Sequence, residues 1–224
     1  MRAEKPEILS EFLGSMFLTI AAVSLMIMFP ETLDSSISFA VLVNGIVVAF
    51  TLYVLIEVFS PISGAHFNPV VTLAMTQLNK IESDKARLYI VSQIFGGIAG
   101  ILISHLMFFH EIPILLTISQ VQRSGGNYIG EIVGTYVLLL SILLLSKKNS
   151  PNLSLGVGLL VGGQLMATSS TMFSNPMITL VRTLTYSVAG IRPADAVVFI
   201  AMQFISMVLA LRTFEIIEKG VETK

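Results

Sequence analysis

The sequence contains no cysteine, which excludes a disulfide framework and a thiolate metal site and leaves the redox compartment unread. Charge is nearly as scarce: Asp, Glu, Lys and Arg make up 12% of the 224 residues, against roughly 25% in a soluble domain. That is too little to coat a globule, and the charges that exist cluster between long apolar runs. The formal net charge is −1, with neither a basic tract nor an acidic tail, so nothing points to nucleic acid. No nucleotide loop, metal cluster or nucleophile–base arrangement is visible. Neither a cofactor nor enzyme chemistry is therefore expected. What is abundant is apolar: 54% of residues are hydrophobic and the mean hydropathy is +0.85. Such a chain has the lipid bilayer as its solvent.

A helix needs about 20 apolar residues to cross the hydrocarbon core. Six runs qualify, at about 8–29, 37–59, 86–109, 127–146, 153–172 and 193–214. The breaks between them carry turn residues or charge, as in PETLDSS (30–36), NKIESDK (79–85) and KKNSPN (147–152). Backbone groups cannot stay unpaired in lipid, and runs of this length exceed a barrel strand, so the expectation is an all-α membrane protein in one domain, 1–224. The opening MRAEKPEILS is short, and the apolar run after it is longer than a signal peptide's core, so it reads as the start of the first span. With both termini cytoplasmic, ten Lys and Arg fall inside and three outside, which favours that orientation for a multi-pass protein of the cell membrane.

Two further segments are apolar but too short to span: GAHFNPVVTLAMTQL (64–78) and MFSNPMITLVRTLTYSV (172–188). Aligned, Asn68-Pro69-Val70-Val71-Thr72-Leu73 matches Asn175-Pro176-Met177-Ile178-Thr179-Leu180, 107 positions later. Glu11 and Gly14 in the first span match Glu131 and Gly134 in the fourth, and Gln93 matches Gln203. Three spans per half force the halves, about 1–110 and 111–224, to lie inverted. Asn followed by Pro is a helix start, because Asn caps and Pro gives up only an N–H that lacks a partner there. A segment of about ten residues covers ~15 Å, half the membrane. Two such half-helices entering from opposite faces meet near the midplane. Irregular backbone at that depth is tolerated only inside protein or along a watery cavity, so the arrangement predicts a pore.

At these residues the chain resembles the aquaporin, or major intrinsic protein, family. SGAHFNPVVTLA (63–74) is similar almost letter for letter to that family's first signature loop, and the resemblance covers the six spans, both loops, Glu11, Glu131, Gln93 and Gln203. It implies a homotetramer with one pore per subunit, in which Asn68 and Asn175 donate hydrogen bonds to a single file of solute. Two helix N-termini, each worth roughly +0.5 of a charge, repel cations at the same point.

The second loop departs from the family pattern, which resembles Asn-Pro-Ala-Arg; here Met177 and Ile178 follow the dipeptide. By resemblance the outer selectivity filter maps to Val48, Gly163, Met172 and Ile178. Water-selective members resemble Phe, His, a small residue and Arg at those places. A filter without donors, with Gly163 leaving space, implies a wider and more apolar passage. NPMITLVRTLT and AGIRPAD (189–195) resemble a prokaryotic subgroup associated with arsenic resistance and the passage of neutral metalloid species. Arg182 lies four residues beyond Ile178, on the same helical face and ~6 Å farther out. It is either a displaced positive barrier at the pore mouth or a cation solvated at the interface.

Glu11 and Glu131 are ionisable groups within spans, which points to function by default; the resemblance implies instead that each braces a loop backbone. His66 resembles a pore-mouth histidine and either lines the pore, gates it, or only packs. Glu57 is left open, and His105 and His110 are expected at the interface. The small residues Gly96, Gly97, Gly100, Gly156, Gly158 and Gly162 permit close helix packing. The expected function is passive passage of water and small neutral solutes, either glycerol-like polyols or metalloid hydroxides such as arsenite. A water-selective channel with an atypical filter, a coupled secondary transporter and a membrane-organising protein with a vestigial pore are the alternatives.

Overall fold

The computed structural model describes residues 5–222, and the described residues are entirely helical and loop. Six elements cross the bundle: α1 (Lys5–Ile27), α2 (Ile37–Ser63), α4 (Ser83–Met107), α5 (Gly125–Lys147), α6 (Leu153–Ala167) and α8 (Pro193–Glu222). Two short helices interrupt the count, α3 (Pro69–Gln77) and α7 (Pro176–Val181), the latter continued by a 3-10 turn over Arg182–Leu184. Among the described residues five helices are long and apolar enough to span a membrane, and α6 is a shorter apolar helix. The sixth apolar run was expected to continue to 172. It stops at Ala167 because Thr168 turns extended, its hydroxyl donating to the Gln164 carbonyl at 2.7 Å and accepting from the Met172 amide at 3.0 Å. Its 15 residues cover ~22 Å, and the extended loop carries the chain onward.

The breaks elsewhere have local causes. Beyond Ile27, α1 widens into a π turn over Met28–Thr32, where Pro30 supplies no N–H. Gly64 ends α2 in the left-handed region at φ 87, the usual glycine cap.

The bundle is assembled in pairs: α1 packs on α4 and α2, α2 on α6, and α5 on α8. Lipid gives no hydrophobic drive between helices, so close backbone approach supplies the contact. Gly162 on α6 leaves room for the Gly45 carbonyl of α2, which a Cβ there would meet at 2.5 Å, and Gly96 on α4 leaves room for the Phe12 carbonyl of α1. The half-helices α3 and α7 touch each other and are each clamped between α4 and α8.

Replacing Gly96 with Val drives a side chain into the α1 backbone, which cannot move aside. The expected outcome is a loss of monodisperse protein in detergent size-exclusion chromatography and a lower thermal midpoint. A variant that behaves like wild type would show that α1 and α4 are not held by this contact.

Candidate functional site

The site begins with two asparagine caps. Asn68 sits in extended backbone before Pro69, and its Oδ1 accepts from the Val70 amide at 3.1 Å; Asn175 does the same before Pro176, accepting from Met177 at 3.0 Å and Ile178 at 3.4 Å. Their amide groups then cross to the other loop. Asn68 Nδ2 donates to the Ser174 carbonyl and Asn175 Nδ2 to the Phe67 carbonyl, both at 2.8 Å. An amide NH₂ has two hydrogens. One is committed across the loops, which leaves one on each Asn, and both residues line the cavity.

Behind each loop is a buried carboxylate. Glu11 accepts from the Ser63 hydroxyl at 2.7 Å, the His66 and Phe67 amides at 3.0 and 2.8 Å, and Gln93 Nε2 at 2.8 Å. Glu131 accepts from the Phe173 and Ser174 amides at 3.2 and 2.5 Å and from Gln203 Nε2 at 2.6 Å. The glutamines reach on to Thr72 and Thr179, whose hydroxyls donate to the Asn68 and Asn175 carbonyls. These threonines carry a role that sequence reasoning did not assign, although both stand four residues after the asparagine in each copy. The bracing is needed because Ala65, Phe67, Thr171, Met172 and Ser174 all hold positive φ, between 41 and 56, at a cost of about 1–3 kcal/mol each for non-glycine residues.

A cavity of about 640 Å³ runs past both asparagines, from Lys80, Lys147 and Glu218 at one end to Arg182 at the other. Its walls are stripes at helical spacing: Leu18 and Ala22 from α1, Val48, Leu52 and Ile56 from α2, and Leu153, Val157, Val161 and Leu165 from α6. Val48, Met172 and Ile178 stand on the lining. Gly163 does not. It is exposed on the outward face of α6 with Leu155 and Leu159, and nothing lies within 4 Å of a Cβ built there. The lining residue from this turn is Leu165, two positions on, where 100° per residue brings the helix back to the cavity. The outer ring therefore stays without donors but loses the space argued for a glycine.

Other expectations resolve in detail. The side chains of Val70 and Met177 are fully buried away from the cavity, and these residues serve the site through their backbone; Val71, the counterpart of Ile178, lines it. His66 lines the cavity while its Nδ1 bonds the Thr72 hydroxyl at 3.1 Å and its ring packs edge-on to Tyr89, so it is held in place. Arg182 is only 4% exposed and lines the cavity, which removes the solvated-cation alternative. His105 is not interfacial but buried, its Nε2 bonded to the Thr185 hydroxyl at 2.8 Å and its Nδ1 to the Leu115 carbonyl. It ties the 108–124 loop to the segment after α7. Glu57 is exposed and accepts from the Ser154 hydroxyl. In the 108–124 loop, burial lowers the Arg123 pKa from its ordinary value, and nearby Glu131 and Asp195 pull it back up; the guanidinium stays charged.

Comparison with known proteins follows the same lines. The family model for Major intrinsic protein matches residues 2–162, ending before the second Asn-Pro. Aquaglyceroporin AqpS of Rhizobium meliloti (strain 1021) is 32% identical over 202 residues, covering 90% of this chain and 85% of that protein. A probable glycerol uptake facilitator protein of Thermotoga maritima is 29% identical over 149 residues, 60% of this chain and 62% of that one. The X-ray structure of the aquaglyceroporin from Plasmodium falciparum shares the fold, with a TM-score of 0.73 at 22% identity, covering 98% of this chain and 99% of that chain.

Exchanging Glu131 for Gln presents an amide donor to backbone N–H groups that need an acceptor. At least one is left buried and unpaired, a loss of about 1–3 kcal/mol. Both Glu131→Gln and Glu11→Gln should melt earlier in detergent and pass less water from vesicles. Wild-type stability in both would sink the bracing role.

Proposed function

The chain belongs to the major intrinsic protein family, and on that premise we propose how its cavity selects and conducts. The protein is a passive transmembrane channel for water and small uncharged solutes such as glycerol, not an enzyme. The observation that carries the mechanism is the cavity running past Asn68 and Asn175, each with one uncommitted amide hydrogen. A hydroxyl or water arriving there accepts one bond from each asparagine at the N-termini of α3 and α7. Those two helix ends, each worth roughly +0.5 of a charge, oppose cations at the centre. The wall stripes from α1, α2 and α6 are apolar, so a solute moves along them between donor points without being held.

The outer ring of Val48, Leu165, Met172 and Ile178 sets the size limit, and His66 and Arg182 stand at the two approaches. A ring without donors suits solutes whose hydroxyls surround a compact, weakly hydrated body, either a polyol or a neutral metalloid hydroxide such as arsenite. The halves 1–110 and 111–224 act as inverted repeats of a single domain, supported by the parallel bonding of Glu11 and Glu131. The lysine and arginine distribution supports cytoplasmic termini, and the bacterial relatives support a bacterial cell membrane. A homotetramer accounts for the many large apolar side chains left exposed on the outer helix faces, such as Phe50 and Val54 of α2, although lipid covers such faces equally well. Cross-linking of the reconstituted protein followed by mass measurement decides between them.

Stopped-flow measurements on proteoliposomes should show water, glycerol and arsenite flux above empty vesicles, with Ile178→Arg losing the larger solutes first. Water flux alone would instead identify a water-selective pore, for which the Leu165 side chain in place of the expected glycine already argues. Saturable flux that follows a proton or sodium gradient would overturn the passive mechanism.

A further inference from the structure

Arg182 occupies a position that a cation should not hold without cause. Its side chain is 4% exposed, deep in an otherwise apolar outer vestibule. Its guanidinium lies over the Phe173 ring, with the central carbon 4.0 Å from the centroid. One terminal nitrogen donates to the Ala22 carbonyl at 3.4 Å, and Nε has no partner. Among the described residues no carboxylate is within ion-pair distance of it. A buried cation without a counter-ion is expensive in a membrane and by default marks a transport pathway. Stacking on an aromatic face recovers part of the cost and also fixes where the charge sits.

The repeat sharpens its meaning. Three residues after each asparagine the lining is apolar in both halves, Val71 and Ile178. Seven residues after, it is Met75 in one half and Arg182 in the other, and both line the cavity. The pore is therefore matched at the two asparagines and at the apolar step, and at this next position one half carries a charge where the other carries a thioether. Phe173 is placed by its backbone bond to Glu131, and Arg123 also lies over its ring, with the guanidinium carbon 5.3 Å from the centroid. The seat of Arg182 is thus anchored to the same carboxylate that braces the second loop.

We propose that Arg182, seated on Phe173, is the cation barrier of this channel, displaced one helical turn outward from the apolar ring at Ile178. Size and charge are then tested at two successive levels, where a filter arginine at the ring would combine them. The proposal rests on the channel reading. A unit charge ~6 Å from an ion's path at an effective dielectric near 20 disfavours a cation by about a hundredfold, and by about tenfold with partial screening.

The test is the ratio of cation to glycerol permeability in proteoliposomes, measured with a pH-sensitive dye, sodium flux and light scattering on the same preparations. Arg182→Met, which copies Met75 of the other half, should raise the ratio about tenfold or more. Arg182→Lys keeps the charge and should stay within about threefold of wild type, while Phe173→Leu, which removes the seat, should fall between them. A cation ratio in Arg182→Met equal to that of wild type, in protein that still conducts glycerol, would overturn the proposal. So would equal leak in the Lys and Met variants, because a purely structural role does not follow charge. Absence of both water and glycerol flux in wild type would instead strike the channel reading itself; where glycerol alone fails to pass, cation leak is referred to water flux.

Discussion

Everything in the pore depends on two carboxylates buried away from it. Glu11 and Glu131 each accept consecutive backbone N–H groups from a loop whose residues hold left-handed dihedrals. That conformation has no support from regular secondary structure, and at this depth no bulk solvent is present to satisfy its amides. The glutamate carboxyl does so by accepting these bonds on both of its oxygens. The glutamine and threonine behind each one extend the same support to the carbonyl of the capping asparagine. Take the carboxylate away, and the half-helix has no fixed starting point.

Once the loops are held, the two asparagines can bond across to one another's backbone. This exchange makes the centre a single rigid unit drawn from both halves of the chain, and it leaves one donor per asparagine at a defined place. The rest of the passage needs little chemistry. Apolar stripes from α1, α2 and α6 close it to anything that cannot shed water, and the outer vestibule adds one guanidinium. At the centre the polar groups are few, and the asparagines and His66 are held by hydrogen bonds, which is what a conduit requires if solutes are to enter without being trapped.

The sequence displayed much of this directly. Spans were visible because hydrocarbon thickness sets their length. The half-helices were visible because Asn-Pro is a local cap signal that occurs twice at matching places, and the two glutamates because each repeats its neighbour glycine. What failed was helix phase. Gly163 is separated from Leu165 by two residues, which on a helix is enough to turn from lipid to pore. A signal existed in the four-residue series Leu153, Val157, Val161 and Leu165, which lines the cavity, set against Leu155, Leu159 and Gly163, which faces outward. Hydrophobicity alone cannot tell these faces apart, since both are apolar. His105 was misplaced for a similar reason, because its position near a helix end implied an interface, while the returning 108–124 loop covers it.

By itself, then, the sequence determined the class of molecule, the number of crossings, the inverted pairing of halves and the asparagines at the centre, because all of these follow from span length and local capping. Only the tertiary structure decided which residue of α6 meets the solute, that Thr72 and Thr179 carry the support onward, and that Arg182 is buried on Phe173 and not solvated. Each of those facts depends on where a helix face or a side chain points once eight helices are packed, and spacing along a chain does not contain that information. The pair of carboxylates belongs to both accounts: their repetition was legible in one dimension, and their partners only in three.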